Sequence, residues 1–407
     1  MSGARSLLAL AALVITPPAM AQEEMVGPAA AQCRGAMGYA EDFGGRRTFL
    51  WRPQWLMGIK QVAQADPAVM ADIVRAGDAA LARGPYSVTD KPTVVPGATA
   101  NDYTSIGPYW WPDPGKAGGL PYVRRDGEVN PARDGAEFDR ARLRDFAADM
   151  RALSVAHYVT GEGEYAEHAA TLLRTWFLDP ATRMNPNLDF AQAIPGRTSG
   201  RGIGIIDSID LSPVVEAIGL IRPNGALSAD ELAGLRSWFG EFVVWLATSE
   251  NGEEEMQAEN NHGVFYDFFL AHFALFAGVE SAAVNIVDAF PDYRLRPQMD
   301  RQGRFIRELE RTRSWHYSHF VVGGAARLAT IGECVDRDLW TAATEDGRSL
   351  QTAKAFLDRY AGSPESWPFR DIDLAASKLD TMRARSREIE ILFDRGSASA
   401  VLASELP

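Results

Sequence analysis

Three features of the sequence predict an all-α protein built as an α/α toroid, an incomplete barrel of roughly six or seven helical hairpins. Apolar residues recur at helical spacing along most of the chain. Strand-like alternation is nearly absent. The candidate helices come in pairs joined by short turns that carry Gly, Pro or Asp. A helical solenoid is the competing architecture, but no repeat of fixed period runs through the chain.

The elements follow in order. Residues 50–83 read as helix, with Ile73, Ala76 and Ala80 at spacings of three and four and a stop at Arg83-Gly84. Residues 137–160 and 164–178 form an αα-hairpin across Gly161-Glu162-Gly163, closed by Asp179-Pro180. Further helices are expected at 205–220 and from Ser228, an N-cap with Glu231 three residues on, to Ala247. Another starts near Asn260 and runs to Phe276. The next pair covers 282–309 and 316–331, with Ser314 as N-cap of the second, and a last set lies between 350 and 392. Two stretches, 85–131 and 184–204, lack periodicity and read as long irregular loops over a cleft, which in a compact protein are usually functional.

Composition bounds the rest. The chain has 407 residues, 46% of them hydrophobic and 23% charged, enough for one large core. Its net charge of −13 argues against nucleic acid and anionic membrane surfaces as partners, while a local basic cluster can still serve an anionic substrate. Arg5, the apolar run from Leu7 to Ile15 and Ala19-Met20-Ala21 read as a signal peptide over 1–21, leaving 22–407 as a single domain exported to the periplasm or the medium. In that compartment Cys33 and Cys334, the only cysteines, either pair or stay free; two so far apart make no zinc motif. Oligomeric state is left open.

Three polar or aromatic clusters stand out. Asn260-Asn261-His262-Gly263 follows an acidic run, Glu250 to Glu259, and opens an apolar segment that includes Tyr266. Amides and an imidazole beside a core are costly unless they cap the helix or handle a polar ligand. The second cluster runs from Glu308 to His319 and holds Arg311, Arg313, His316 and Tyr317. The third, Tyr109-Trp110-Trp111-Pro112-Asp113-Pro114, is either a hydrophobic plug or a sugar-stacking wall, with Arg124 or Arg125 beside it for anionic groups. The glycines of 197–204 follow no apolar strand, so a dinucleotide loop fails on context. They read as a tight turn before a helix, with Arg197 and Arg201 free to point into a cleft. His316 and His319 have a spacing that can serve a metal, but no acidic-His motif accompanies them, and no G-x-S-x-G elbow is present.

Together these residue types suit removal of a proton next to a carboxylate. Asn or Arg can offset the carboxylate charge, His or Tyr can act as base, and Tyr can protonate a departing glycosidic oxygen. The set fits β-elimination of an anionic uronic-acid polysaccharide and calls for no metal or other cofactor.

The Tyr109–Pro114 motif, the Asn260–Gly263 motif with Tyr266-Asp267 and the run from Arg311 to Ser318, in that order, resemble the alginate lyase superfamily and look most like polysaccharide lyase family 38. The resemblance implies a helical α/α barrel that cleaves alginate or glucuronan and leaves a 4,5-unsaturated uronate end. It implies that Asn261 helps neutralise the C5 carboxylate and that His262 is a base or holds the carboxylate and proton network. Tyr317 becomes the acid and, for a syn elimination, the base as well. Arg311 lies near the carboxylate or lowers the Tyr317 pKa. Asn260, Tyr109, Trp110, Trp111, Arg201, Arg313, His316 and Tyr266 become substrate-binding candidates. The alternatives are an inverting glycoside hydrolase using Asp207, Asp210 or Glu259, or a non-catalytic polysaccharide-binding protein.

Overall fold

The computed structural model describes residues 48–375, 378–394 and 401–407. The expected leader at 1–21 lies outside them, as does Cys33 and with it the expected pairing to Cys334. No helix among the described residues is long and apolar enough to cross a membrane.

The first expected helix is two, Pro53–Ala65 (α1) and Pro67–Leu81 (α2). Pro67 has no N–H to continue the first ladder and holds Asp66 extended, and the Asp66 carboxylate then caps α2 through the Ala68 N–H. Arg140–Thr160 (α3) and Gly163–Leu173 (α4), the latter extended by a π turn over Arg174–Leu178, form the expected hairpin. A 3₁₀ run, Gly202–Asp210, leads into Ser212–Ile221 (α5). Ala229–Thr248 (α6) begins at the Ser228–Glu231 capping box read in the sequence. Glu250–Met256 (α7), Asn261–Ala277 (α8) and Glu280–Phe290 (α9) follow, then Ser314–Glu333 (α10), Leu350–Ala361 (α11) and Leu379–Asp394 (α12).

Two expectations are corrected. The helix placed at 282–309 breaks after Phe290 into a π turn, Pro291–Leu295, and two short pieces, Arg296–Gln298 and Ile306–Leu309, because Pro291 and Pro297 interrupt the ladder. Ser314 is not the cap of α10. It lies inside the first turn and donates to the Arg370 carbonyl, while the Asp371 carboxylate accepts from the Trp315 N–H.

The irregular loops carry four short strands: Thr104–Ile106 (β1), Trp110–Trp111 (β2), Val123–Arg124 (β3) and Phe190–Ala193 (β4). β1 pairs with β4 in parallel, which ties the two loops together, and β2 pairs with β3 antiparallel within the first loop. Gly204 is required here, since a Cβ would come within 2.6 Å of the Ala191 carbonyl oxygen in β4.

The helices form an α/α toroid. α3, α5, α8 and α10 pack one against the next as the inner wall, and α4, α6, α9 and α11 lie against them with one apolar face each. α8 is central, packing on α5, α6, α9 and α10. Every residue of it except His262 is buried. Where it meets α10 the ring of Phe265 stacks on Phe320, with centroids 4.1 Å apart.

The ring is anchored by one buried carboxylate. Glu216 of α5 accepts the backbone N–H groups of Phe49, Leu50 and Trp51 on Oε2, at 2.8, 3.0 and 3.1 Å, and its Oε1 lies 2.9 Å from His272 Nε2 of α8. Glu216→Leu strands these donors, and the expected loss is about 3–5 kcal/mol of unfolding free energy in urea titrations. A loss of under about 1 kcal/mol, the net worth of one ordinary hydrogen bond, would contradict this anchor.

Candidate active site

The first turn of α8 builds one side of the site. Asn260 is the N-cap, its side-chain oxygen accepting from the His262 N–H at 3.0 Å. Gly263 is needed because a Cβ there would stand 2.1 Å from the Ala258 carbonyl oxygen and 2.5 Å from Nη1 of Arg294, which is clamped on Asp267 by two hydrogen bonds. Asn261 is 1% exposed, and its amide nitrogen lies 3.0 Å from both carboxylate oxygens of Glu308, while its backbone N–H donates to Glu308 Oε1. His262 Nδ1 is 2.7 Å from Oε1 of the buried Glu255. That bond leaves Nε2 as the nitrogen available to a ligand. Burial opposes charge on the ring, but the adjacent Glu255 carboxylate outweighs it and raises the imidazole pKa.

The second side comes from the start of α10 and the turn before it. The Tyr317 hydroxyl is 2.7 Å from the hydroxyl of Tyr109, and the Arg311 guanidinium carbon lies 3.7 Å from the Tyr317 ring centroid. Burial pushes the Tyr317 phenol well above its ordinary range, Tyr109 adds to this, and Arg311 pulls the other way without reversing it. The expectation that Arg311 lowers this pKa therefore holds for its own contribution and not for the net shift. Arg311 is also tied to the β2–β3 hairpin. Its Nη2 donates to Asp126, which accepts from the Thr312 hydroxyl as well. Although burial opposes it, these bonds hold the Asp126 pKa down at about 2.

The two sides lie within electrostatic reach of each other. Arg311 acts electrostatically on His262 and touches Tyr317, Tyr317 bonds Tyr109, and the next residue, Trp110, lies under Arg197 and Arg201 at 5.3 and 6.0 Å. Arg201 in turn acts on Glu255, the partner of His262. Arg201 is held by the carbonyl and side-chain oxygens of Gln192 in β4. Trp111 is half-buried, with Arg125 over its ring at 5.0 Å and Nε1 donating to the Glu128 carbonyl.

Other candidates fall elsewhere. Tyr266 is 2% exposed, its hydroxyl donates to the Leu246 carbonyl, and it belongs to the core rather than to a substrate surface. Arg313 lies within electrostatic reach of Tyr109 and Tyr317, but its Nε is bound to Asp373. The His316 ring stacks on Phe320, and burial, with Arg385 and Arg313 beside it, lowers its pKa to about 3, so it is neutral at ordinary pH. The carboxylates suggested for hydrolysis are engaged: Asp207 with Tyr103, Ser105 and Arg140, Asp210 with Arg140, and Glu259 with Arg307. Among the described residues no cluster of three or more His, Cys, Asp or Glu side chains could hold a metal.

Sequence reasoning missed Glu255, Glu308 and Asp126. Glu255 stands seven residues before His262, a spacing that spans the break between α7 and α8 and carries no helical signal. Glu308 opens the second cluster and was legible there as a charge but not as a ligand of Asn261.

A family model described as alginate lyase matches residues 87–367. The crystal structure of an alginate lyase from Bacteroides ovatus superposes with a TM-score of 0.81 at 34% sequence identity, covering 89% of this chain and 96% of that one. Alginate lyase A1-III from Sphingomonas species A1, at 14% identity and a TM-score of 0.51 over 82% of this chain and 93% of that one, shares the fold. No curated protein matches the chain.

The Asp126 contacts latch the hairpin onto the Arg311 turn. Asp126→Ala is expected to speed amide hydrogen exchange at 109–128 by about tenfold while leaving exchange in α8 unchanged. Unaltered exchange in the hairpin would show that the latch is not what holds it.

Proposed function

The chain belongs to the alginate lyase family and is a polysaccharide lyase, and from that premise we propose that it cleaves alginate by β-elimination. The observation that carries this is the arrangement around Arg311: a phenol kept protonated by burial lies against the guanidinium, and a carboxylate-paired imidazole lies within its field.

A uronate carboxylate placed against Arg311 has its charge offset, which lowers the cost of forming the aci-carboxylate as the C5 proton leaves. His262, with Nδ1 on Glu255, takes that proton on Nε2. The C5–H electron pair becomes the C4–C5 double bond, and the C4–O4 bond breaks. Tyr317 donates its proton to the departing O4, and Tyr109, hydrogen-bonded to it, is placed to help return one from solvent. No metal enters, since Arg311 supplies the positive charge. Trp110 with Arg197 and Arg201 offers an aromatic face flanked by cations, which suits a neighbouring uronate. The three motifs that resemble polysaccharide lyase family 38 make glucuronan the second substrate to try, and the leader-like segment at 1–21 supports export.

Incubation with polymannuronate, polyguluronate, glucuronan and hyaluronan tests this through the ultraviolet absorbance of the unsaturated product. Absorbance should rise on an alginate block. New reducing ends without it would mean hydrolysis, and no new ends would mean binding alone. Tyr317→Phe should lower turnover by about 10²–10⁴-fold with an unchanged circular dichroism spectrum. Near-wild-type turnover would remove Tyr317 from the acid role.

The pH profile tests the base. His262 accepts a proton only when neutral, so kcat/KM should rise with pH through an inflection above the ordinary imidazole value of 6.5, because Glu255 raises the pKa. Glu255→Gln keeps an acceptor for Nδ1 but removes the charge, so the inflection should move to lower pH. An inflection that stays in place would exclude His262 as the titrating base.

A further inference from the structure

Nothing in the elimination uses the inner wall of the toroid below the first turn of α10, yet one cation there is left without a counter-charge. The four inner-wall helices carry five arginines, Arg140, Arg142, Arg144 and Arg151 on α3 and Arg327 on α10. Four are paired: Arg140 with Asp210, Arg142 with Asp139, Arg144 with Asp134 and Arg327 with Glu388. Arg151 alone of these has no carboxylate partner among the described residues, and its guanidinium lies 5.9 Å from the Trp51 ring centroid. The acids whose charge reaches it, Asp210 and Glu388, are already taken, the first by Arg140 and the second by both Arg327 and Arg385. Burial and the charge of Arg327 both act against its own charge. A half-buried guanidinium left in this state is costly to the free protein, and a bound anion offsets the cost. Arg201, which flanks Trp110 in the site above, is in the same state: it is bonded to Gln192 and to no carboxylate.

Arg151 is reached from the site along α10. Glu388 acts both on Arg151 and on His316, the neighbour of Tyr317. Arg327 stands ten residues after Tyr317 on the same helix, which is about 15 Å along its axis. Between them lie the half-buried rings of His316 and Phe320, stacked on each other. An aromatic face that leads from the proton donor to an unpaired cation is what a chain of anionic sugars needs beyond the bond that breaks.

We propose that Arg151 is a second anion site, which receives the carboxylate of a uronate away from the cleaved bond and makes turnover depend on chain length. This rests on the polyuronate reading and adds to it. Arg311 offsets the charge of the sugar that reacts, and Arg151 that of a sugar that does not. The planar guanidinium fork fits a carboxylate with two hydrogen bonds, and binding energy gained at a remote sugar can be used at the reacting one.

Substrates of graded length test it. The full-length protein is first assayed on the polyuronates, so that failure of the polyuronate reading is recognised separately. It is then assayed on oligouronates of increasing length prepared from the polymer it cleaves. In the wild type kcat/KM should rise by about 10–100-fold at the length that first reaches Arg151, the worth of a hydrogen-bonded contact to a charged group. Arg151→Gln and Arg151→Met both remove the charge, and Met keeps an apolar stem against Trp51. In each, the ratio of kcat/KM on long to short oligomers should fall towards unity. Both variants should fold, because the group removed is an uncompensated cation. A wild type whose kcat/KM does not rise with length overturns the proposal. So does a long-to-short ratio in the variants equal to that of the wild type, even where both rates fall together. Failure of both variants to fold would make Arg151 a structural residue and overturn it as well.

Discussion

Much of this molecule follows from burying one helix on every side. α8 has no polar face, so it can be stable only at the centre of the toroid. Its first turn then brings orphan N–H groups, an amide and an imidazole into surroundings where unpaired polar groups are costly. Neighbouring segments supply a partner for each. Asn260 caps the His262 N–H, Glu308 takes the Asn261 N–H and amide, and Glu255 takes the imidazole. The interactions that make the helix tolerable are the same ones that fix the orientation of the site. His262, the one residue of α8 that is not buried, is held there in a single tautomer.

The opposite side is assembled by clamping a turn between two straps. From the hairpin, Asp126 holds Arg311 and Thr312. From the segment after α11, Asp371 caps α10 at Trp315, Asp373 binds Arg313, and the Ile372 N–H reaches the Thr312 carbonyl. Tyr317 is thus positioned by residues close to it in space and far from it in sequence. The arginines at 197 and 201 flank the Trp110 ring without a carboxylate hydrogen bond, so within a chain whose net charge is −13 they offer cations to an anionic polymer at the point of contact.

What could be read from the sequence follows the range of each interaction. Helical periodicity and the Ser228–Glu231 box are local, and both predicted structure that is present. The αα-hairpin at 140–178 was legible for the same reason. The three motifs were visible as dense mixtures of polar and aromatic residues, and the structure brings Tyr109, Trp110, Arg201, Asn261, His262, Arg311 and Tyr317 near one another, with the carboxylates of Glu255 and Glu308 beside His262 and Asn261. What failed was decided at long range. Ser314 has the right residue type for a cap, but Asp371 takes that role. Tyr266 sits in the motif segment, yet its place on the helix turns it to the Leu246 carbonyl. The parallel pairing of β1 with β4 joins segments more than eighty residues apart, and neither strand is long enough to show alternation.

The proposed elimination requires a uronate with its carboxylate on Arg311, its C5 proton towards His262 Nε2 and its glycosidic oxygen towards Tyr317. A crystal structure of Tyr317→Phe with a bound oligouronate measures this directly. The arrangement predicted is a carboxylate hydrogen-bonded to the Arg311 guanidinium, with Nε2 of His262 the nearest basic atom to C5 and the ring at position 317 beside O4. A sugar seated with its carboxylate away from Arg311, or with C5 out of reach of His262, would contradict it.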